Sequence, residues 1–102
     1  MELKITCRHM KDSEKVRTYA EEKLSKLDRF YNALHEAEVI LKEEDRQCNC
    51  EVILHIRNLE SEFVKVSCDS MIGAIDMSVD KAEKLLRRMK EKRESRRRPA
   101  VE

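Results

Sequence analysis

The sequence predicts an α+β fold of order β-α-β-β-β-α, a two-layer sandwich in which a four-stranded sheet carries two helices on one face. Three observations predict it. Two segments repeat apolar residues at steps of three and four, which is helical periodicity. Four short segments alternate, or run apolar, in the manner of strands. At 102 residues the chain has room for one core, and one face of a sheet is where two amphipathic helices can both bury their stripes.

The first strand is residues 2–8. Leu3, Ile5 and Cys7 point one way and Glu2, Lys4, Thr6 and Arg8 the other. Asp12 and Ser13 then offer an N-cap, with Glu14 in the first turn, where an acid complements the helix dipole. Val16, Ala20, Leu24, Leu27, Tyr31 and Leu34 recur at helical steps, flanked by Tyr19, Lys23 and Phe30, and predict a helix over residues 13–32. Residues 37–43 are short, apolar and β-branched, and read as a strand. Glu44-Asp45-Arg46-Gln47 is a turn. Cys48, Cys50, Val52, Leu54 and Ile56 then share one strand face, opposite Asn49, Glu51, Ile53, His55 and Arg57. Residues 58–61 turn the chain again, and Val64, Val66 and Cys68 alternate with Phe63, Lys65 and Ser67. Strands joined by such short turns form an antiparallel meander. The helix between the first two strands lets those two lie parallel, through a right-handed crossover.

Asp69 or Ser70 caps the second helix, whose stripe is Ile72, Ile75, Val79, Ala82, Leu86 and Met89. The next stripe position is Arg93, so the helix is expected to leave the core near residue 90. Residues 1–90 are the expected domain, and residues 91–102 a basic, flexible tail in which Pro99 closes any helix.

Charged residues make up 42% of the chain, but apolar residues make up 40%, so a compact core is expected rather than disorder. A single Gly and a single Pro exclude collagen-like and linker-rich designs, and also phosphate-cradling loops that need several glycines. No apolar run is long enough to span a membrane, and Met1-Glu2-Leu3-Lys4 has no apolar signal core, so a cytoplasmic location is expected. The net charge of +1 hides an asymmetry. Residues 81–98 hold ten cations and three acids, 10 − 3 = +7, which leaves −6 for the rest. A basic end on an acidic body points to a directed contact with a polyanion.

Cys7, Cys48, Cys50 and Cys68 all fall on strand positions that face the helices. Cys-x-Cys on a strand puts both sulfurs on one face, about 7 Å apart. Zinc ribbons and fingers present their pairs on turns instead. These cysteines therefore read as small buried hydrophobes, and neither a metal nor a cofactor is expected. His9, His35 and His55 are scattered, and no nucleophile–base arrangement emerges, so no catalytic residue and no enzyme are expected.

Several segments resemble one family. They are Leu3-Lys4-Ile5-Thr6, Glu22-Lys23-Leu24-Ser25-Lys26-Leu27-Asp28-Arg29-Phe30 and Val39-Ile40-Leu41-Lys42. The most telling is Asp69-Ser70-Met71-Ile72-Gly73-Ala74-Ile75-Asp76, followed by Asp80-Lys81-Ala82-Glu83-Lys84-Leu85-Leu86. In order and spacing they are similar to the ribosome hibernation promoting factor / ribosome-associated inhibitor A family, also called the sigma-54 modulation family, from Leu3 to about Lys90. The resemblance implies a β-α-β-β-β-α fold related in shape to double-stranded-RNA-binding domains. It implies binding in the decoding channel of the small ribosomal subunit, silencing of translation and preservation of idle ribosomes, with no reaction catalysed. The chain departs from the family at Ile72, where Tyr is frequent, and its second hairpin turn lacks the usual Gly. The arginine run at its end, in place of a dimerising domain or an acidic tail, fits a short form.

On the second helix, Lys81, Lys84, Arg88 and Lys92 cluster about 100–180° from the buried stripe, and Asp76, Asp80 and Glu83 occupy a different flank. On the first helix, Lys15, Lys26 and Arg29 also sit off the stripe. With both helices on one sheet face, these flanks are expected to join into one basic surface that neutralises phosphates. The expected RNA-binding residues are Lys23, Lys26, Arg29, Lys81, Lys84, Arg87, Arg88 and Lys90. Lys81, Lys84 and Arg88 also match the family motif. Arg96–Arg98 are expected either to follow the RNA or to be disordered. Tyr19, Phe30 and Tyr31 lie on or beside the core stripe, which leaves few stacking platforms and favours recognition of shape and backbone. Asp69-Ser70 lacks the lysines that open the last helix of a conventional double-stranded-RNA domain, so duplex binding of that type is disfavoured. The expected partner is the small ribosomal subunit with its ribosomal RNA, with no membrane and no small-molecule substrate, and the chain is expected to be a monomer off the ribosome. The competing readings are a general structured-RNA-binding module, a protein-interaction adaptor using an exposed sheet edge, and a merely solvated set of lysines.

Overall fold

The computed structural model describes residues 1–11 and 14–97, with side chains as far as Arg93. The elements are β1 (Glu2–Arg8), α1 (Glu14–Leu24), a 3-10 turn (Leu27–Arg29), β2 (Leu34–Glu44), β3 (Gln47–Ile56), β4 (Glu62–Cys68) and α2 (Met71–Arg97). The sheet order is β1-β2-β3-β4. β1 and β2 are parallel, with Ile5 opposite Val39. The other two pairs are antiparallel, with Val52 opposite Val39 and Val64. The crossover and the meander thus form as the alternation predicts.

Two hairpins lock these registers. Asp45 and Arg46 both take positive φ, at 49° and 65°, the backbone of a two-residue turn whose twist matches its strands. In the β3–β4 turn Asn58, at φ 64°, adopts the left-handed conformation.

One sheet face is covered by the helices. Ala37, Val39, Leu41, Cys50, Val52, Leu54, Val64 and Val66 are all buried there. α1 lies over β1 and α2 over β3 and β4, and the two helices touch. Arg17 ties α1 to the first strand by donating to the Ile5 carbonyl at 3.0 Å. Each buried side chain of the Leu or Val kind contributes about 1.5–3 kcal/mol, so this shared layer is what holds the helices down.

Two sequence expectations change. The first helix does not continue through residues 13–32. It ends at Leu24, and a 3-10 turn follows. At the break the Ser25 N–H still donates to the Glu21 carbonyl at 3.0 Å, and its hydroxyl donates to the Glu22 carbonyl at 3.3 Å. Leu27, in the 3-10 turn, and Tyr31, just beyond it, both remain buried in the same core. Second, Ile72 is not on the buried stripe of α2; it is 42% exposed. The buried set is Met71, Ala74, Ile75, Ser78, Ala82 and Leu86, which puts Ile72 about 80° off centre. Small Ala74 and polar Ser78 hid the true centre. The Ser78 hydroxyl is satisfied by the Ala74 carbonyl at 2.8 Å. α2 runs 27 residues, to Arg97, and so continues as helix past the point near residue 90 where it is expected to leave the core. The expected tail over residues 91–102 therefore begins as helix. Burial nevertheless thins where expected, with Leu86 the last buried side chain and Met89 half-buried. The candidate cap Asp12-Ser13, and Arg98 and Pro99 in the tail, lie outside the described residues.

Candidate nucleic-acid interface

The start of α2 positions everything beyond it. Ser70 is the N-cap: its hydroxyl accepts from the Gly73 N–H at 3.0 Å, and its carbonyl from Ala74 N–H at 3.0 Å. Gly73 is needed for this close approach, because a Cβ there would stand 2.9 Å from the Ser70 Oγ and 3.1 Å from the Cys68 Sγ. With the helix pinned at its start and along its buried stripe, helical phase sets the direction of every cation.

That phase divides the predicted residues. Lys81, Lys84 and Arg88 are exposed, and with Lys92 they lie about 80–160° from the buried centre on one side. Among the described residues these four enter no ion pair. Arg87 and Lys90 are exposed on the opposite side, with Asp76, Asp80 and Glu83. This is the side that meets α1. The Tyr19 hydroxyl donates to Asp76 at 2.5 Å, and that bond, more than desolvation, raises the phenol pKa above its ordinary 10.0. Lys23 sits 5.5 Å above the Tyr19 ring and lines a shallow hollow with Asp76 and Asp80. Arg87 lies 5.0 Å over the Phe30 ring and 3.5 Å from Glu83. Lys26 and Arg29 are exposed at the 3-10 turn. The cations thus form two groups separated by a seam of acids and rings, rather than one unbroken band across the helix pair.

Sequence reasoning passed over Arg93. It follows the stripe and is half-buried, and it donates to the Tyr31 hydroxyl at 3.2 Å, bringing the outer part of α2 back to the 3-10 region. The signal was present in its stripe position, since a long side chain can keep its stem packed while its head stays wet.

The opposite sheet face is mixed in charge. His55 lies 3.0 Å from Glu38 and 3.6 Å from Glu36, and its other ring nitrogen meets the Ser61 hydroxyl at 2.8 Å. Lys4 adds a 3.7 Å contact to Glu36. The donor atoms of Glu36, Glu38 and His55 converge closely enough to hold a cation among the described residues. The contacts with Lys4 and Ser61 account for the arrangement as an ion-pair network.

The cysteines are free thiols. Burial raises the Cys50 pKa above 9.0, opposed by a Ser78 hydrogen bond. Desolvation, then Glu43, Cys68 and Asp69, raise that of Cys48. A raised pKa keeps both thiols protonated and so weakly nucleophilic.

Fold and surface together define a small α+β domain that displays a cationic helix flank free of ion pairs among the described residues. A family described as Sigma 54 modulation protein / S30EA ribosomal protein matches residues 3–94. The chain belongs to that family. It is 30% identical over 103 residues to a ribosome hibernation promoting factor of Azotobacter vinelandii, covering 98% of this chain and 95% of that one. It is 30% identical over 95 residues to a ribosome hibernation promoting factor of Pseudomonas putida, covering 93% and 92%. Among solved structures, the N-terminal domain of Thermus thermophilus Protein Y superposes with a TM-score of 0.78 at 26% identity, over 87% of this chain and 99% of that one. A ribosomal subunit interface protein from Coxiella burnetii gives 0.80 at 17% identity, over 88% and 98%, a likeness of fold.

Proposed function

We propose that this chain is a non-catalytic, ribosome-associated translation silencer. It binds the decoding channel of the small subunit through ribosomal RNA, and so preserves idle ribosomes in the cytoplasm. Lys81, Lys84 and Arg88 make the principal phosphate contacts, and Lys26, Arg29 and Lys90, across the seam, make separate and lesser ones. Lys23 and Arg87, already engaged with rings and acids at the helix seam, contribute less. The chain acts as a monomer off the ribosome.

The single observation that carries this reading is the exposed, unpaired flank of Lys81, Lys84 and Arg88, in a chain whose relatives carry the name ribosome hibernation promoting factor. Cations without partners lose nothing when they turn to phosphate, and each releases counterions from the RNA as it binds. The chain's acidic remainder, −6 outside residues 81–98, disfavours other approaches to the polyanion.

Co-sedimentation with ribosomes tests it. The wild-type protein should travel in the small-subunit and whole-ribosome fractions of a sucrose gradient and leave them as salt rises. Changing Lys81, Lys84 and Arg88 together to Glu should move it to the top of the gradient. Unchanged sedimentation of that variant would reject the flank, and binding that survives RNase would favour a protein-interaction adaptor.

A further inference from the structure

The turn after β3 and the outer half of α2 enclose a hollow of about 410 Å³, within the size range of small-ligand sites. Its cations are Arg57, Lys92 and Arg93, against the single carboxylate of Glu62, so its lining carries 3 − 1 = +2. Leu59 and Met89 supply apolar surface. Leu59 is 51% exposed. It sits where the left-handed Asn58 turns the chain, and its own N–H is bonded to the Ile56 carbonyl at 3.1 Å. Arg93 gives one of its five donors to the Tyr31 hydroxyl, which holds its head at the wall of the hollow.

Lys92 connects this hollow to the cationic flank. It lies about 80° from the buried centre of α2, on the same side as Lys81, Lys84 and Arg88, and it also lines the hollow. A strand whose phosphates follow the flank therefore arrives at a concavity with an apolar floor, a positive wall and hydrogen-bonding groups at Asn58 and Glu62. A paired base keeps both faces inside its stack and cannot use such a floor, whereas an unpaired one can.

We propose that this hollow seats one unpaired nucleotide of the RNA strand that the α2 flank follows. Arg57 and Lys92 take its phosphate, Leu59 and Met89 take a face of the base, and Asn58 and Glu62 meet its edge. The proposal rests on the RNA reading above and adds to it a site at which a single nucleotide is gripped.

The test measures the affinity of the 102-residue chain for purified small subunits across a salt series, together with ultraviolet cross-linking of the wild-type complex. Leu59→Ala, at an exposed position, should weaken binding about fivefold, the cost of lost apolar contact, and leave the slope of log K against log salt unchanged. Arg57→Ala should lower that slope by about 1, the signature of one lost phosphate contact. Cross-linked nucleotide should map to residues 57–62. Full affinity in Leu59→Ala, or cross-links from residues 57–62 to a ribosomal protein and not to RNA, would overturn the proposal while the flank's role stands. Absence of wild-type binding to small subunits is a different result, which removes the ribosome reading itself.

Discussion

The two flanks of α2 carry similar cations in very different company. On the side facing α1, Arg87 lies over Phe30 and beside Glu83, and Lys23 lies over Tyr19 near Asp76 and Asp80. On the other side Lys81, Lys84, Arg88 and Lys92 pair with nothing among the described residues. The first arrangement fastens two helices together, and the second leaves charge available to a partner. Helical phase separates them, because the acids at positions 76, 80 and 83 all fall toward α1. A cation's role here is thus decided by its neighbours more than by its type.

The most severe way to break this comparison is to remove the inward stripe on which both flanks depend. Leu86 is fully buried, and Leu86→Ala should cost about 3 kcal/mol of stability in urea unfolding. Next comes charge reversal at Lys81, Lys84 and Arg88. It should weaken small-subunit binding by at least on the order of a hundredfold and flatten the salt slope by about 3, with an unchanged circular dichroism spectrum. Arg87→Ala should do the reverse: a stability loss of about 0.5 kcal/mol from the lost ring contact, and small-subunit affinity within about threefold of wild type. A binding loss as large as that of the triple variant would dissolve the distinction between the flanks.

Tyr19→Phe should have the smallest effect, and it sharpens the comparison through pH. The folded state raises the Tyr19 pKa, so the bond to Asp76 contributes fully below the unfolded value near 10. That contribution is lost as pH rises through the higher folded value. Urea midpoints of wild type and Tyr19→Phe should therefore differ at pH 9 and converge as the solution becomes more alkaline.

Much of this was legible in the sequence. Period-two alternation placed the buried faces of β3 and β4, and a period of 3.6 placed Lys81, Lys84 and Arg88 away from the core, because both patterns are local. What escaped was contributed by residues far apart in the chain. Tyr19 and Asp76 are 57 positions apart, and Tyr31 and Arg93 are 62 apart. No local pattern indicates that such pairs meet, so the division of the basic surface by a seam was invisible. The end of α1 was missed for another reason. Leu27 and Tyr31 satisfy helical spacing even though one sits in a 3-10 turn and the other just after it, and periodicity does not distinguish a continuing helix from a tighter turn with the same buried side.

The uninterrupted run of α2 past its last buried residue makes the outer segment a stiff boom, about 16 Å long beyond Leu86 at 1.5 Å per residue. A boom transmits angle as well as reach. One alanine inserted after Leu86 would swing every later side chain by about 100°, carrying Arg88 and Lys92 out of line with Lys81 and Lys84 while leaving the net charge unchanged. The aim of the outer cations is therefore set by how leucines and alanines seat far behind them.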